Sequence, residues 1–426
     1  MFLKKLKLEN VRCFKSLELD FCCELDESSE PTSEELRKWT ILLGGNGTGK
    51  STVLRAAALV TCGSSALADV FGGADEWIRF GEDSCTISAV IQNQKGEERN
   101  ISITVGRKDS VHEVITNANK SLEELDNALD HSNRNYFVSG YGASRRLSSG
   151  KGINSRGSHY RSSRANSIAS LFDREALLNP LESWAMELDY ESNGAAMKTV
   201  TSVLDSFLPD LKFKKIDKKN KKLLFNTPDG VVPLSQLSDG YQNVAAWAGD
   251  LLYRINFVFE DYSKPLETRG LLIIDEIDLH LHPQWQRSII GFLQNNLPNM
   301  QFLITTHSAV TAQQANAGEL QYLIRNKKNI DLHKFNSDPS GLLVNQLLIS
   351  EVFGLNSDES LKLTEQKHRY RELRKSAARS FVEQDEFDEL KTQITTKLSA
   401  RTENVTPKDS QLERLKLIQQ IIWDKE

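Results

Sequence analysis

The segment Gly44-Gly45-Asn46-Gly47-Thr48-Gly49-Lys50-Ser51-Thr52 sets closely spaced glycines beside a lysine and three hydroxyls. Glycines let successive backbone N–H groups turn toward one point, and a helix beginning there adds positive potential, so such a segment is built to hold phosphates. In the spacing Gly-x4-Gly-Lys-Ser, the lysine reaches the β and γ phosphates of a nucleotide and the serine ligates Mg²⁺. Asn46, Gly47, Gly49, Lys50, Ser51 and Thr52 are therefore the expected nucleotide contacts. Asp275 and Glu276 close the aliphatic run Leu271-Leu272-Ile273-Ile274. There Asp275 would hold Mg²⁺, normally through water, and Glu276 would polarise an attacking water. An acidic pair at a strand end is common, and only its company singles it out. Leu237-Ser238-Asp239-Gly240 opens a helix, where the serine serves equally well as an N-cap or as an anion ligand. His307 follows Phe302-Leu303-Ile304-Thr305-Thr306, a position where a lone histidine is more often just a satisfied polar residue.

These groups need positioning elements, and the surrounding pattern supplies them. Trp39-Thr40-Ile41-Leu42-Leu43 reads as a buried strand leading into the glycine-rich turn, and residues 53–60 as the helix leaving it. Residues 1–21 read as strand, turn around Asn10 to Ser16, and second strand. Period-two alternation in Thr86-Ile87-Ser88-Ala89-Val90-Ile91 and Ile101-Ser102-Ile103-Thr104-Val105 predicts antiparallel strands. An acidic helix is expected over 121–130 and a Ser/Gly/Arg-rich loop over 147–167. Helical patterning resumes from Ser167 to about Phe207, followed by a lysine-rich hairpin over 211–226. The helix opened by Ser238 should run through Leu252, and buried strands should span 269–277 and 301–306 with a helix from about Gln284 to Gln294 between them. From Ser360 onward the chain is charged and helix-prone, with a polar break near 402–409.

Composition places the chain of 426 residues among soluble globular proteins, with 39% hydrophobic and 26% charged residues. No stretch approaches the about 18 uninterrupted apolar residues of a membrane span, and the alternating N-terminus lacks a signal-peptide block, so the expected location is cytoplasmic and no membrane contact is expected. Five cysteines, an odd number with no CxxC pair, argue against a disulfide framework or zinc ribbon.

Taken in order, Gly44-x4-Gly49-Lys50-Ser51, Leu237-Ser238-Asp239-Gly240-Tyr241-Gln242, Asp275-Glu276 and His307 resemble the Walker A, signature, Walker B and switch-histidine motifs of ABC-type ATPases. The long insertion between Ser51 and Leu237, with the opening Leu6-Lys7-Leu8-Glu9-Asn10-Val11-Arg12-Cys13-Phe14, is similar to the SMC/RecF/OLD branch rather than to transporter domains. The resemblance implies an α/β fold: an ABC-type P-loop NTPase head with a mixed or parallel sheet flanked by helices, an antiparallel β subdomain, a helical insertion and C-terminal helices. It divides the chain into a first ATPase lobe (1–140), a helical insertion with basic loops (141–236), a second lobe (237–355) and a C-terminal helical region for assembly or partners (356–426). It also implies ATP and Mg²⁺ as cofactors, ATP hydrolysis, and a homodimer or higher oligomer in which Ser238 and Gly240 of one copy bind the γ-phosphate held by the other. Glu276 and His307 become the catalytic candidates, Ser51 and Asp275 the metal ligands, and Arg12 and Phe14 the candidates for touching adenine. The glutamine usual after the edge strand is not evident around Tyr141-Gly142-Ala143-Ser144-Arg145-Arg146.

Asp275-Glu276-Ile277-Asp278-Leu279-His280-Leu281-His282-Pro283, with Thr305-Thr306-His307-Ser308, resembles the PtuA family of ATPases in Septu and retron anti-phage systems. That resemblance implies a partner HNH nuclease (PtuB-like), regulated through nucleotide-dependent dimerisation. The alternative is a RecF/SMC-like repair clamp with no nuclease partner. Two basic segments, one holding Arg145, Arg146, Lys151, Arg156, Arg161 and Arg164, the other Lys212, Lys214, Lys215, Lys218, Lys219, Lys221 and Lys222, suit DNA phosphates through counterion release. Solvated loops explain them equally well. His280 and His282 lie where a dimer interface would cross, and no third ligand accompanies them for a metal.

Overall fold

The computed structural model describes residues 2–23, 36–93, 96–129, 137–147, 160–191, 197–208, 211–259, 265–327, 329–357, 359–376 and 379–403. Two units emerge, Met1–Gly354 and Leu355–Glu426. In the first, β1 (Phe2–Val11) and β2 (Phe14–Asp20) form a hairpin whose turn is tighter than expected, with Asn10 and Arg12 in the left-handed region. Then come β3 (Trp39–Gly44), α1 (Lys50–Thr61), α2 (Ser64–Val70), β4 (Ser84–Gln92), β5 (Glu98–Gly106), α3 (Val111–Asn117), α4 (Asn119–Leu129), β6 (Phe137–Tyr141) and β7 (Arg146–Leu147). After these lie α5 (Ser163–Phe172), β8 (Leu177–Leu178), α6 (Leu181–Glu191), α7 (Met197–Phe207), β9 (Lys212–Asp217), β10 (Lys222–Thr227) and β11 (Gly230–Pro233). The unit continues with α8 (Asp239–Val258), β12 (Gly270–Ile274), α9 (Pro283–Gln286), α10 (Ile289–Asn296), β13 (Met300–Thr305), α11 (Ala309–Ala312), β14 (Leu320–Asn326), β15 (Asn329–Lys334) and α12 (Val344–Ile349).

The central sheet has the order β15-β14-β3-β13-β12-β6, with all pairs parallel except β14 with β15. Its central strands β3, β12 and β13 are buried on both faces, which is why they read as nearly continuous apolar runs. Alternation then sorts the side chains by period two. Ile41, Leu43, Leu272, Ile274, Phe302 and Ile304 join the core beneath α6, α7, α8 and α10, whereas Leu42, Leu271, Ile273 and Leu303 join the core containing α1. That second core is closed by an antiparallel sheet of order β2-β1-β4-β5, whose inward residues include Leu6, Leu8, Ile87 and Ile103. Gln301 stitches the two sheets, its amide accepting from Leu3 N at 2.7 Å and donating to Leu3 O at 2.8 Å. Trp39 stacks on Phe302 with ring centroids 3.9 Å apart. The result is an α/β head of parallel strands flanked by helices, with an antiparallel β subdomain.

Several boundaries differ from expectation. Helix α5 begins at Ser163, inside the expected loop, because the Ser162 hydroxyl caps it by accepting from Ala165 N; residues 148–159 of that loop lie outside the described residues. The lysine-rich hairpin gains a third strand, β11. The helix expected over Gln284–Gln294 is two, α9 and α10, and α8 extends to Val258. In the second unit, α13 (Leu361–Lys375) and α14 (Phe381–Glu403) pair through a Tyr370–Phe387 ring stack at 4.8 Å and an Arg369–Glu386 ion pair at 2.8 Å. Much of the polar break expected near 402–409 lies outside the described residues. None of the described helices is long and apolar enough to cross a membrane.

Candidate active site

The C-terminal end of β3 delivers Gly44 into the phosphate loop, and α1 starts at Lys50. Gly49 has φ 90°, and a Cβ there would lie 2.6 Å from both Cys13 Sγ and the Phe14 ring. The β1–β2 turn is thus the floor of the loop, and only glycine fits above it. Arg325 of β14 donates to the Gly47 carbonyl at 2.5 Å, pinning the crest of the loop from the neighbouring strand. Lys50 folds its ammonium onto the carbonyls of Gly44 (2.7 Å) and Gly45 (3.2 Å). Burial pulls the Lys50 pKa below its ordinary value, against the opposing fields of Asp275 and Glu276. An anion seated in this loop would meet a partly desolvated cation and the N-terminus of a 12-residue helix.

Strand β12 brings Asp275 and Glu276 to the same end of the sheet. Ser51 Oγ donates to Asp275 Oδ2 at 2.7 Å, and Thr305 Oγ donates to Asp275 Oδ1 at 2.6 Å. The same Thr305 hydroxyl accepts from Glu276 N at 2.8 Å. A hydroxyl and a carboxylate converging so closely are the hard oxygen donors that Mg²⁺ prefers, so the residues present fit the ion. Glu276 itself sits at φ 49°, a left-handed conformation that costs a non-glycine residue about 1–2 kcal/mol. Such a turn persists only where its surroundings over-determine it.

Arg145 supplies part of that constraint, and here the basic-loop expectation is corrected. The residue is 8% exposed, and its Nη2 donates to the carbonyls of Asp275 (2.6 Å) and Glu276 (2.8 Å). Burial brings its pKa down to about 10. Arg164 is likewise held, by Asp126 at 3.0 Å and the Leu129 carbonyl at 2.9 Å. Arg161 is exposed, while Lys151, Arg156 and the Arg146 side chain lie outside what is described. The second basic segment does present exposed lysines, Lys212, Lys214 and Lys215 on β9 and Lys219 and Lys221 in its turn, with Lys218 paired to Asp189.

Ser238 is the exposed N-cap of α8, and its hydroxyl makes no capping bond to the helix it starts. Gly240 lies beside the turn after Glu276: a Cβ on it would stand 2.8 Å from the His280 carbonyl. Tyr241 packs edge-on against Trp285 at 4.4 Å, holding the start of α8 to α9. Among the described residues no hydrogen bond joins Ser238 or Gly240 to the phosphate loop of the same chain. His307 is exposed immediately beyond β13. His282 caps α9, its Nδ1 accepting from Gln284 N at 3.4 Å. Asn46 and Gly47 are exposed at the loop crest, and Thr52 is buried in α1.

Of the two candidates for touching adenine, Phe14 is out of reach of a base, whereas Arg12 is partly exposed at the β1–β2 turn. Phe14 is fully buried beneath Gly49. The Arg12 guanidinium lies 4.9 Å from the Trp77 ring centroid, and its Nε donates to the Glu76 carbonyl at 2.6 Å. Sequence reasoning overlooked Thr305, Arg325 and the destination of Arg145. Thr305 had a signal, a hydroxyl closing an aliphatic strand; Arg145 and Arg325 had none, since their partners are far along the chain.

Residues 40–312 match the profile of the family described as "AAA domain, putative AbiEii toxin, Type IV TA system". A Septu protein PtuA from Bacillus mycoides (strain KBAB4) is 27% identical over 358 residues, covering 83% of this chain and 45% of that protein. The protein named Retron Ec83 probable ATPase from Escherichia coli is 35% identical over 119 residues, covering 28% of this chain and 22% of its own length. The chain therefore spans less than half the length of these relatives. A solved SMC head bound to the C-winged helix domain of ScpA aligns with 14% identity and TM-score 0.47, over 80% of this chain and 99% of that one. With its phosphate loop, paired carboxylates and a family match over most of its length, the chain belongs to this AAA-domain family.

Proposed function

We propose that the chain is the ATPase subunit of an anti-phage assembly, and that its active site is completed by a second copy. The observation that carries the reading is the meeting of Ser51 with Asp275 at 2.7 Å, beside Lys50 and Glu276. In this reading the N–H groups from Asn46 to Thr52 and the Lys50 ammonium bind the β and γ phosphates of ATP. Ser51 and Asp275 would hold Mg²⁺, which when bound draws charge from the phosphate oxygens. Glu276 orients and polarises the attacking water, and His307 contacts the γ-phosphate. Ser238, whose hydroxyl makes no capping bond to its own helix, and Gly240 close over the phosphate held by the partner copy.

The likeness to the Septu protein PtuA supports a role in phage defence, in which nucleotide-driven dimerisation regulates a partner HNH nuclease (PtuB-like). The exposed lysines of β9 support contact with DNA phosphates within such a complex. Glu276→Gln tests the core of the reading: turnover should fall by about 10²–10⁴-fold with ATP affinity retained. Unchanged turnover would remove Glu276 from its assigned role.

A further inference from the structure

The turn that aims Glu276 is held at four points. Its two flanking peptide planes each carry one carbonyl and one N–H. Arg145 takes both carbonyls, those of Asp275 and Glu276, at 2.6 and 2.8 Å. Thr305 takes both N–H groups: its hydroxyl accepts from Glu276 N at 2.8 Å and its carbonyl from Ile277 N at 3.1 Å. With each plane gripped on opposite edges, φ and ψ of Glu276 have no freedom left, and the left-handed value of 49° is imposed from outside. A neutral side chain could hold one carbonyl. Arg145 makes both bonds with its Nη2, and its Nε donates to the Gly142 carbonyl at 3.2 Å, so one planar guanidinium bridges three carbonyls and is oriented by a second anchor that a lysine ammonium lacks.

The far side of Arg145 rests on the helix that begins at Ser238. Its Cζ lies 5.9 Å from the centroid of Trp247, on α8. Trp247 packs at 5.9 Å against Tyr141, whose hydroxyl donates to Asp250 Oδ2 at 2.9 Å. Asp250 is bound in turn by Arg254 (2.5 and 3.1 Å) and Asn179 (2.7 Å). Trp247, Asp250 and Arg254 share one buried face of α8, so the helix is locked to the strand preceding Arg145 by the ring contact of Trp247 and the hydrogen bonds converging on Asp250.

We propose that Arg145 is a positioning residue: it sets the aim of the Glu276 carboxylate and, through its seat on Trp247, ties that aim to the signature helix. The inference rests on the reading that Glu276 polarises the attacking water. Engagement of Ser238 by a partner's phosphate, which loads the start of α8, is thereby transmitted to the carboxylate.

Arg145→Lys keeps the charge and most of the volume but loses the planar group whose Nε anchor on the Gly142 carbonyl orients the nitrogen holding the turn. In this variant kcat should fall by about 10²-fold, the scale of a small misplacement of a reacting group, with nucleotide affinity and melting temperature close to wild type. The discriminating readout is the double variant Arg145→Lys/Glu276→Gln, which should be no slower than Glu276→Gln alone because both changes act through one group. A further loss in the double variant, or an Arg145→Lys enzyme with normal kcat, overturns the inference. If Glu276→Gln alone turns over normally, the reading of the site has failed instead, and the two failures are distinct. Should Arg145→Lys not fold, Trp247→Phe carries the same comparison: a several-fold kcat loss that vanishes in the Glu276→Gln background supports the coupling, and an additive or absent loss refutes it.

Discussion

Ser51 Oγ lies 2.7 Å from Asp275 Oδ2, although 224 positions of chain separate them. The parallel order β3-β13-β12 causes the meeting, since it places the ends of β3 and β12 on one edge of the sheet with only β13 between. If that pair is the metal site, Ser51→Ala should weaken ATP binding by about tenfold, the worth of one charge-assisted contact, when Mg²⁺ is present. With Mg²⁺ chelated, the affinity should match wild type. Titration with a fluorescent ATP analogue in both buffers separates the metal contribution from the loop itself.

Gly49 and Gly47 both have positive φ, 90° and 75°, but only Gly49 is crowded, by Cys13 and Phe14. Gly49→Ala should therefore lose about 2–4 kcal/mol, combining left-handed strain with overpacking. Gly47→Ala has nothing within 4 Å of the added Cβ and should lose only the strain, about 1–2 kcal/mol. Urea unfolding of the two variants reads the difference; equal losses would mean the hairpin does not support the loop.

Asp278 is 8% exposed, and its Oδ1 is buried with no hydrogen-bond partner among the described residues. Burial pushes its pKa up, against weaker opposing pulls from a Thr306 hydrogen bond and the nearby Arg145 and His307. Between the unfolded value near 3.8 and the raised folded value, the folded state binds more protons, so this group's contribution lowers stability as pH rises through that window. Asp278→Asn removes the dependence. The variant should be more stable than wild type by about 1 kcal/mol at neutral pH, with the gain vanishing in acid below the unfolded pKa. Unfolding curves at the two pH values check the sign.

Local pattern carried the groups that do chemistry, because each is written in a few adjacent residues. The phosphate loop, Asp275-Glu276 and the aliphatic runs of β3, β12 and β13 were all legible in this way. What stayed hidden depends on distant partners. β14 was not assigned, since Gln321 interrupts its apolar pattern and is nonetheless 1% exposed. Arg145 read as one of several solvated cations, and only the folded chain reveals two carbonyls waiting beneath it. Phe14 looked available to a base, but the close approach of Gly49 buries it. Spacing along the chain does not report which side of a hairpin faces the loop.

The most direct measurement mixes two inactive variants. Lys50→Ala removes the phosphate ligand and Ser238→Arg blocks the helix start that would close over a partner's nucleotide. Each should hydrolyse ATP negligibly alone, with Ser238→Arg still binding it. Mixed in equal amounts, they should recover about a quarter of wild-type turnover, because half of the pairs then hold one intact composite site. Full activity of Ser238→Arg by itself, or no recovery on mixing when size measurements show that mixed pairs form, would contradict a site shared between two copies.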